Sequence, residues 1–199
     1  MYAREINGQT LTFGVSGMLW RENLVMYDDE TNSWWAQASG KAIDGKLKGV
    51  TLKMYPGASM MTWKEWRAQH PNTVVLSKQT RRGREGMSGS YNEYHRSSRI
   101  GVTGRLRFND KQLPAKARIL GFRVGERAYA VDLAALARKG RITATASDGK
   151  KLTIAPTRDG VGGSVYIMGE GVQQSEIPSS VSYWFAWKAF FPETEIIQP

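Results

Sequence analysis

The sequence contains no cysteine. Disulfides, thiolate metal ligands and thiol nucleophiles are therefore excluded, although this absence leaves the compartment open. Histidine is scarce as well: His70 and His95 are the only two, and they do not form a His-x-x-x-His metal pair. No Gly-x-Ser-x-Gly elbow occurs, so a hydrolase triad lacks its nucleophile. Acidic residues run together at Asp28-Asp29-Glu30, but three consecutive side chains do not converge on one ion. Gly160-Val-Gly-Gly163 has no following Lys-Ser/Thr to make it a phosphate loop. These absences predict no metal, no cofactor and no assignable catalytic residue. No run of about 18 apolar residues exists, so no membrane-spanning helix is expected. The opening Met1-Tyr-Ala-Arg-Glu-Ile lacks the apolar stretch of a signal peptide, and as written the chain reads as cytoplasmic.

Basic charge is plentiful. The 199 residues carry a formal charge of +10, and it is unevenly placed. Between Lys78 and Arg127 there are 13 Lys or Arg and 4 acids, which accounts for +9. Such asymmetry marks either a surface for a polyanion or a solvated linker. The length suits one domain or two small lobes with a core that needs no staples.

The second abundant feature is tryptophan in a repeated setting. Residues 62–73 read TWKEWRAQHPNT, and YWFAWKAFFPET follows near the C-terminus. Trp63, Trp66, Ala68, Pro71 and Thr73 return as Trp184, Trp187, Ala189, Pro192 and Thr194, and a basic residue follows the second Trp in both (Arg67, Lys188). Residues three apart share a helix face. Thr62 with Glu65 fits a capping box, and His70-Pro71 is a natural stop. Each copy is expected to be a two-turn helix, related to the other by approximate two-fold symmetry, whose indole pair anchors it to a sheet. The competing reading of the pair is an aromatic platform for a ligand.

The rest of the chain is strand-like. Asn7-Gly8 predicts a tight hairpin within residues 4–16. Further strands are expected at Leu11–Val15, Leu24–Tyr27, Ser33–Ala38, Val50–Tyr55 and Val74–Ser77. Asp28 and Thr31 sit in the turn between two of them, where short polar side chains bond backbone amides. In the second half, strands are expected at Ala117–Val124, Ala128–Val131, Ile142–Thr145 and Leu152–Ile154. A helix over Leu133–Lys139 is expected, capped by Asp132 and stopped by Gly140. Gly8–Phe13 corresponds to Gly149–Ile154, and Gly49-Val50 precedes Pro56 as Gly171-Val172 precedes Pro178. A hairpin of the first half is shortened in the second, with Gly160–Gly163 as the remnant turn. The predicted class is mainly β with short helices, a β-rich α+β protein of two fused, related lobes from an internal duplication. Residues 1–77 form the first repeat, 78–115 a basic loop and connector, and 116–199 the second, shorter repeat.

Several long strings resemble one family. FGVSGMLWRENLVMYDDETNSWWAQASGKAIDGKLKG, TWKEWRAQHPNTVVLS, LPAKARILGF, AYAVDLAAL and YWFAWKAFFPETEI occur in order. They are similar to the bacterial and archaeal family known as domain of unknown function 3179. The resemblance implies no particular activity. Members often look exported or lipid-anchored, which implies an extracytoplasmic setting if this sequence lacks its leader. Many members carry a Cys-Pro-Leu-Cys-type motif upstream of the first strand, which this cysteine-free chain does not contain.

Residues 78–99, KQTRRGREGMSGSYNEYHRSSR, hold little to bury, and 80–98 should be the most mobile internal stretch. Arg81, Arg82, Arg84, Arg96 and Arg99 lie around Tyr91, Tyr94 and His95. Guanidinium groups bind phosphate and rings stack on bases, so these eight residues form a candidate anion surface. Its partner would be nucleic acid or an anionic surface polymer; a solvated loop without a partner is the plain alternative. Three functional readings follow. The first is a non-catalytic binding or scaffolding module. The second is a polyanion binder acting through residues 78–99. The third, less favoured, is an enzyme built on an acid/tyrosine site such as Asp28, Tyr91 and Tyr94.

Overall fold

A computed structural model describes residues 1–75, 91–101, 106, 108–169 and 174–199. The chain begins with the expected hairpin. Strands β1 (Glu5–Ile6) and β2 (Gln9–Thr10) pair around Asn7-Gly8. Both turn residues have positive φ, 51° and 78°, as a two-residue hairpin of this hand requires. Strands β3 (Phe13–Trp20), β4 (Asn23–Asp28), β5 (Trp34–Ala36) and β6 (Lys41–Asp44) then form an antiparallel sheet in chain order. Their core is Leu11, Trp35, Ala42 and Leu52, with Phe13 edge-on to Trp35 at 5.7 Å.

The strand expected at Val50–Tyr55 is absent as a continuous element. Thr51 and Met54 make isolated bridges to Lys41 and Tyr2. Leu52 N–H donates to Gly40, whereas Tyr55 N–H donates to Met1. The segment divides its hydrogen bonds between two neighbours, so no ladder propagates. The strand expected at Val74–Ser77 is also missing in its described part: Val74 and Val75 are 94% and 64% exposed and unpaired, and Leu76 and Ser77 lie outside the described residues.

Helix α1 (Trp63–Gln69) forms where the Trp-x-x-Trp segment predicted it. A one-turn helix α2 (Asn92–Arg96) follows inside the stretch expected to be a loop. Expectations for residues 76–90 fall outside the described residues. The second half runs β7 (Arg118–Val124), β8 (Arg127–Asp132), α3 (Leu133–Lys139), β9 (Ile142–Thr145), β10 (Lys151–Pro156), β11 (Gly163–Met168), β12 (Gln174–Ile177), β13 (Ser179–Tyr183), α4 (Trp184–Phe190) and β14 (Glu195–Ile196). One sheet has the order β9-β10-β11-β12, and the other β13-β7-β8-β14 with β14 parallel to its neighbour. Helix α3 is capped as expected: Asp132 accepts from Ala135 N–H at 2.7 Å, and Gly140 ends it at φ 84°. The protein is mainly β, with four small sheets and four short helices among the described residues.

Strand periodicity sorts the second half into two cores. Leu120, Phe122 and Val124 of β7, with Tyr129 and Val131 of β8, face α3 and the β9–β12 sheet. Ile119, Ala128 and Ala130 face α4 and bury Trp184 and Trp187. Glycine is required at 121, because a Cβ there would lie 2.6 Å from the Trp187 ring. The C-terminal indole pair therefore anchors its helix to a sheet as expected.

The first pair does not. Trp63 and Trp66 are 49% and 39% exposed, and α1 buries no residue. No strand among the described residues lies under α1, so polar bonds hold it instead. Thr62 N–H donates to Asp159 Oδ2 at 2.5 Å. Glu65 accepts the N–H groups of Arg158 and Asp159 at 3.2 and 2.9 Å. Only half of the expected capping box is internal: Thr62 Oγ1 accepts from Glu65 N–H at 3.3 Å, while the Glu65 carboxylate serves the other half of the chain.

Candidate functional site

Helix α2 closes one side of a cleft of about 690 Å3 beside the edge strand β13. Its position is set by long-range contacts rather than by its own five residues. His95 Nδ1 and the Tyr183 hydroxyl share a hydrogen bond at 2.8 Å. Lys116 Nζ donates to the carbonyls of Tyr94 and Ser97, satisfying the end of the helix. The same ammonium lies over the Tyr94 ring at 4.1 Å and near the Tyr183 ring at 5.6 Å. Tyr183 stacks on Phe185 at 6.0 Å, which ties this wall to α4.

Arg118, the first residue of β7, lines the opposite part of the cleft. Its Nη2 donates to Val161 O at 2.8 Å and approaches Met60 Sδ at 3.4 Å. The other guanidinium N–H groups make no hydrogen bond among the described residues, leaving donors for a ligand. Met60, Val181 and Ser182 complete the lining, and no carboxylate is part of it among the described residues. The cleft is thus a half-open, cationic site with aromatic walls. Partial burial pushes the Tyr94 phenol up, so it stays a neutral hydrogen-bonding group at ordinary pH.

Of the eight residues singled out from the sequence, His95 lines the cleft, and the Tyr94 ring packs under the ammonium of Lys116, which lines it. Tyr91 is 71% exposed, with its ring 6.4 Å from His95. Arg96 and Arg99 are exposed on and after α2. Arg81, Arg82 and Arg84 lie outside the described residues. Lys116, Arg118 and Tyr183 were missed. The Lys116-x-Arg118 alternation entering β7 is the signal that could have found the first two, since it puts both cations on one face.

Asp28 is removed from the candidates. It is fully buried, and its carboxylate accepts from Thr31 N–H (2.6 Å), Thr31 Oγ1 (2.8 Å), Ser33 N–H (3.2 Å) and Trp35 Nε1 (2.9 Å). Desolvation works against its charge, but the indole and the Thr31 and Ser33 donors outweigh that and hold its carboxyl below the usual range. It is a structural hub, as its turn position suggested. Glu30 is likewise engaged, accepting from Thr12 N–H at 2.7 Å. Among the described residues no group of His, Asp and Glu could hold a metal ion, and no helix is long and apolar enough to cross a membrane.

A second groove of about 440 Å3 runs between the two halves, from Tyr2 to Phe190. Its one phenol, Tyr2, donates to Gln37 O at 2.8 Å, and burial pushes its pKa up to about 12. Among the described residues it offers no acid–base pair.

No curated protein and no solved structure matches the chain. A family model described as "Protein of unknown function (DUF3179)" matches residues 1–162, which carries the resemblance through β10 and stops short of the second Trp-x-x-Trp segment. The chain belongs to the DUF3179 family.

Proposed function

We propose that this DUF3179 protein is a non-catalytic binding module that takes an anionic group in the cleft beside α2. The observation carrying this reading is the lining itself: Lys116, Arg118 and His95 line one cleft with Tyr183, and no carboxylate lines it among the described residues. A guanidinium with spare donors recognises phosphate, sulfate or carboxylate by shape as well as charge. Lys116 adds a nearby positive charge fixed by two carbonyls. The exposed Tyr91 ring and the Arg96 and Arg99 side chains extend the basic, aromatic character beyond the cleft. Polyanions therefore suit the site better than small neutral ligands; nucleic acid and an anionic surface polymer share the chemistry it reads. In this reading residues 1–77 and 116–199 are related lobes; the second supplies Lys116, Arg118 and Tyr183 to the cleft, and the 78–115 connector supplies His95.

Fluorescence anisotropy tests it with labelled single-stranded DNA, duplex DNA and a sulfated polysaccharide at low salt. Binding to at least one probe is expected, with weaker binding by Arg118→Ala. Lys116→Ala is a poorer choice, because it also removes the bonds that fix α2. Unchanged binding by Arg118→Ala would place the ligand elsewhere.

A further inference from the structure

Helices α1 and α4 are one local structure in two surroundings. Their C-cap residues have nearly equal φ/ψ, −130°/69° at His70 and −129°/71° at Phe191. Trp66 Nε1 donates to Thr73 Oγ1 at 2.8 Å, and Trp187 Nε1 to Thr194 Oγ1 at 2.9 Å. The His70 ring lies 4.2 Å from Trp66 at 38°, and Phe191 lies 4.3 Å from Trp187 at 39°.

What surrounds them differs. Helix α4 sits on the β7–β8 hairpin, with Gly121, Ala128 and Ala130 leaving room for its indoles. The strands before and after it grip the same hairpin, β13 against β7 and β14 against β8. Asp110, ahead of the hairpin, closes the rim. It accepts from Trp184 Nε1 at 3.0 Å and pairs with Lys188 at 3.1 Å.

Among the described residues every counterpart around α1 is open. Trp63 and Trp66, the counterparts of Trp184 and Trp187, are half-exposed. Val74 and Val75, at the positions of the β14 residues Glu195 and Ile196, are exposed and pair with no strand among the described residues. Trp63 Nε1 and Arg67, at the positions of Trp184 and Lys188, have no carboxylate partner among the described residues. Two indoles and two valines make an exposed apolar patch of the kind that marks an interaction site. Lys64 and Arg67 give it a basic rim.

We infer that this face of α1 docks a β-hairpin from outside residues 1–199, with small residues beneath the indoles and a carboxylate for Trp63 Nε1 and Arg67. The occupant resembles Asp110–Asp132 of this chain, because that segment fills the same seat on α4. Its outer strand would pair with Val74–Val75, giving main-chain bonds as in β-strand addition. The bonds of Thr62 and Glu65 to the 158–159 turn already hold α1 in place, so little ordering cost remains. A second copy of the chain is the poorer occupant, since its own hairpin face is covered by its own α4.

The test appends a second copy of residues 108–132 ahead of Met1 through a flexible Gly/Ser linker, which raises its local concentration to about the millimolar range. Hydrogen exchange of the α1 amides is then compared with that of the unmodified chain. About tenfold slower exchange over residues 63–69 is expected, abolished by Asp110→Asn in the appended copy alone or by Arg67→Glu. Exchange in α4 serves as the control and should not change. Equal exchange in α1 with and without the appended segment would overturn the inference. So would protection that ignores Asp110→Asn, or concentration-dependent self-association that quenches Trp63 and Trp66 in the unmodified protein.

Discussion

The same residue type does opposite work at matched positions. Trp184 is fully buried on Ile119, Ala128 and Ala130, whereas Trp63 is half in water. Truncating the buried indole leaves a cavity, so Trp184→Ala should destabilise the protein by about 3–5 kcal/mol. Trp63→Ala should stay within about 0.5 kcal/mol. Urea denaturation followed by far-ultraviolet circular dichroism checks both. Asp28 is the other decisive residue. Asp28→Ala would strand the buried Trp35 N–H, at a cost of about 1–3 kcal/mol for that donor alone. The folded Asp28 carboxyl is held below the unfolded range, so its contribution is present above that range and is lost as pH falls through the folded value. The acid limb of the stability curve should therefore flatten in Asp28→Asn, measured as denaturation midpoint against pH.

Among the elements, those set by local chemistry could be read from the sequence. The Asn7-Gly8 hairpin and the Asp132-to-Gly140 helix need only their own residues, and both formed as expected. Helix α2 was not legible, because five polar residues become helical here only through Lys116 and Tyr183, the latter 88 positions from His95. The exposure of α1 was hidden for the same reason: a Trp pair announces a helix but not the presence of a sheet beneath it. The polar attachment of α1 leads to a pH prediction. Desolvation disfavours the Asp159 carboxylate, yet hydrogen bonds from Thr62 N–H, Thr157 Oγ1 and Val161 N–H hold its carboxyl well below the usual range. The tie is intact above the unfolded carboxylate range and weakens as pH falls through the depressed folded value. Amide chemical shifts of Thr62 and Val161 should hold steady from neutral pH to about pH 4 and move together below it. Asp159→Asn should abolish that acid transition.

Across the whole molecule, composition and periodicity were enough for a mainly β chain with short helices, and long strings were enough for its family. The cleft was only half legible. His95 and Tyr94 stood out from an unusual loop, whereas Arg118 and Lys116 read as ordinary basic residues beside a strand until the fold brought them together. The central claim is that this cleft binds anions by charge and shape. The most direct test is a salt series for single-stranded or duplex DNA, with wild type beside Arg118→Ala. If three to five cations engage phosphates, the slope of log affinity against log salt on duplex should be roughly −3 to −4.5. Arg118→Ala should make it shallower by about 0.9. Absence of binding at low salt, both to DNA and to a sulfated polysaccharide, would contradict the account, as would an Arg118→Ala slope equal to that of the wild type.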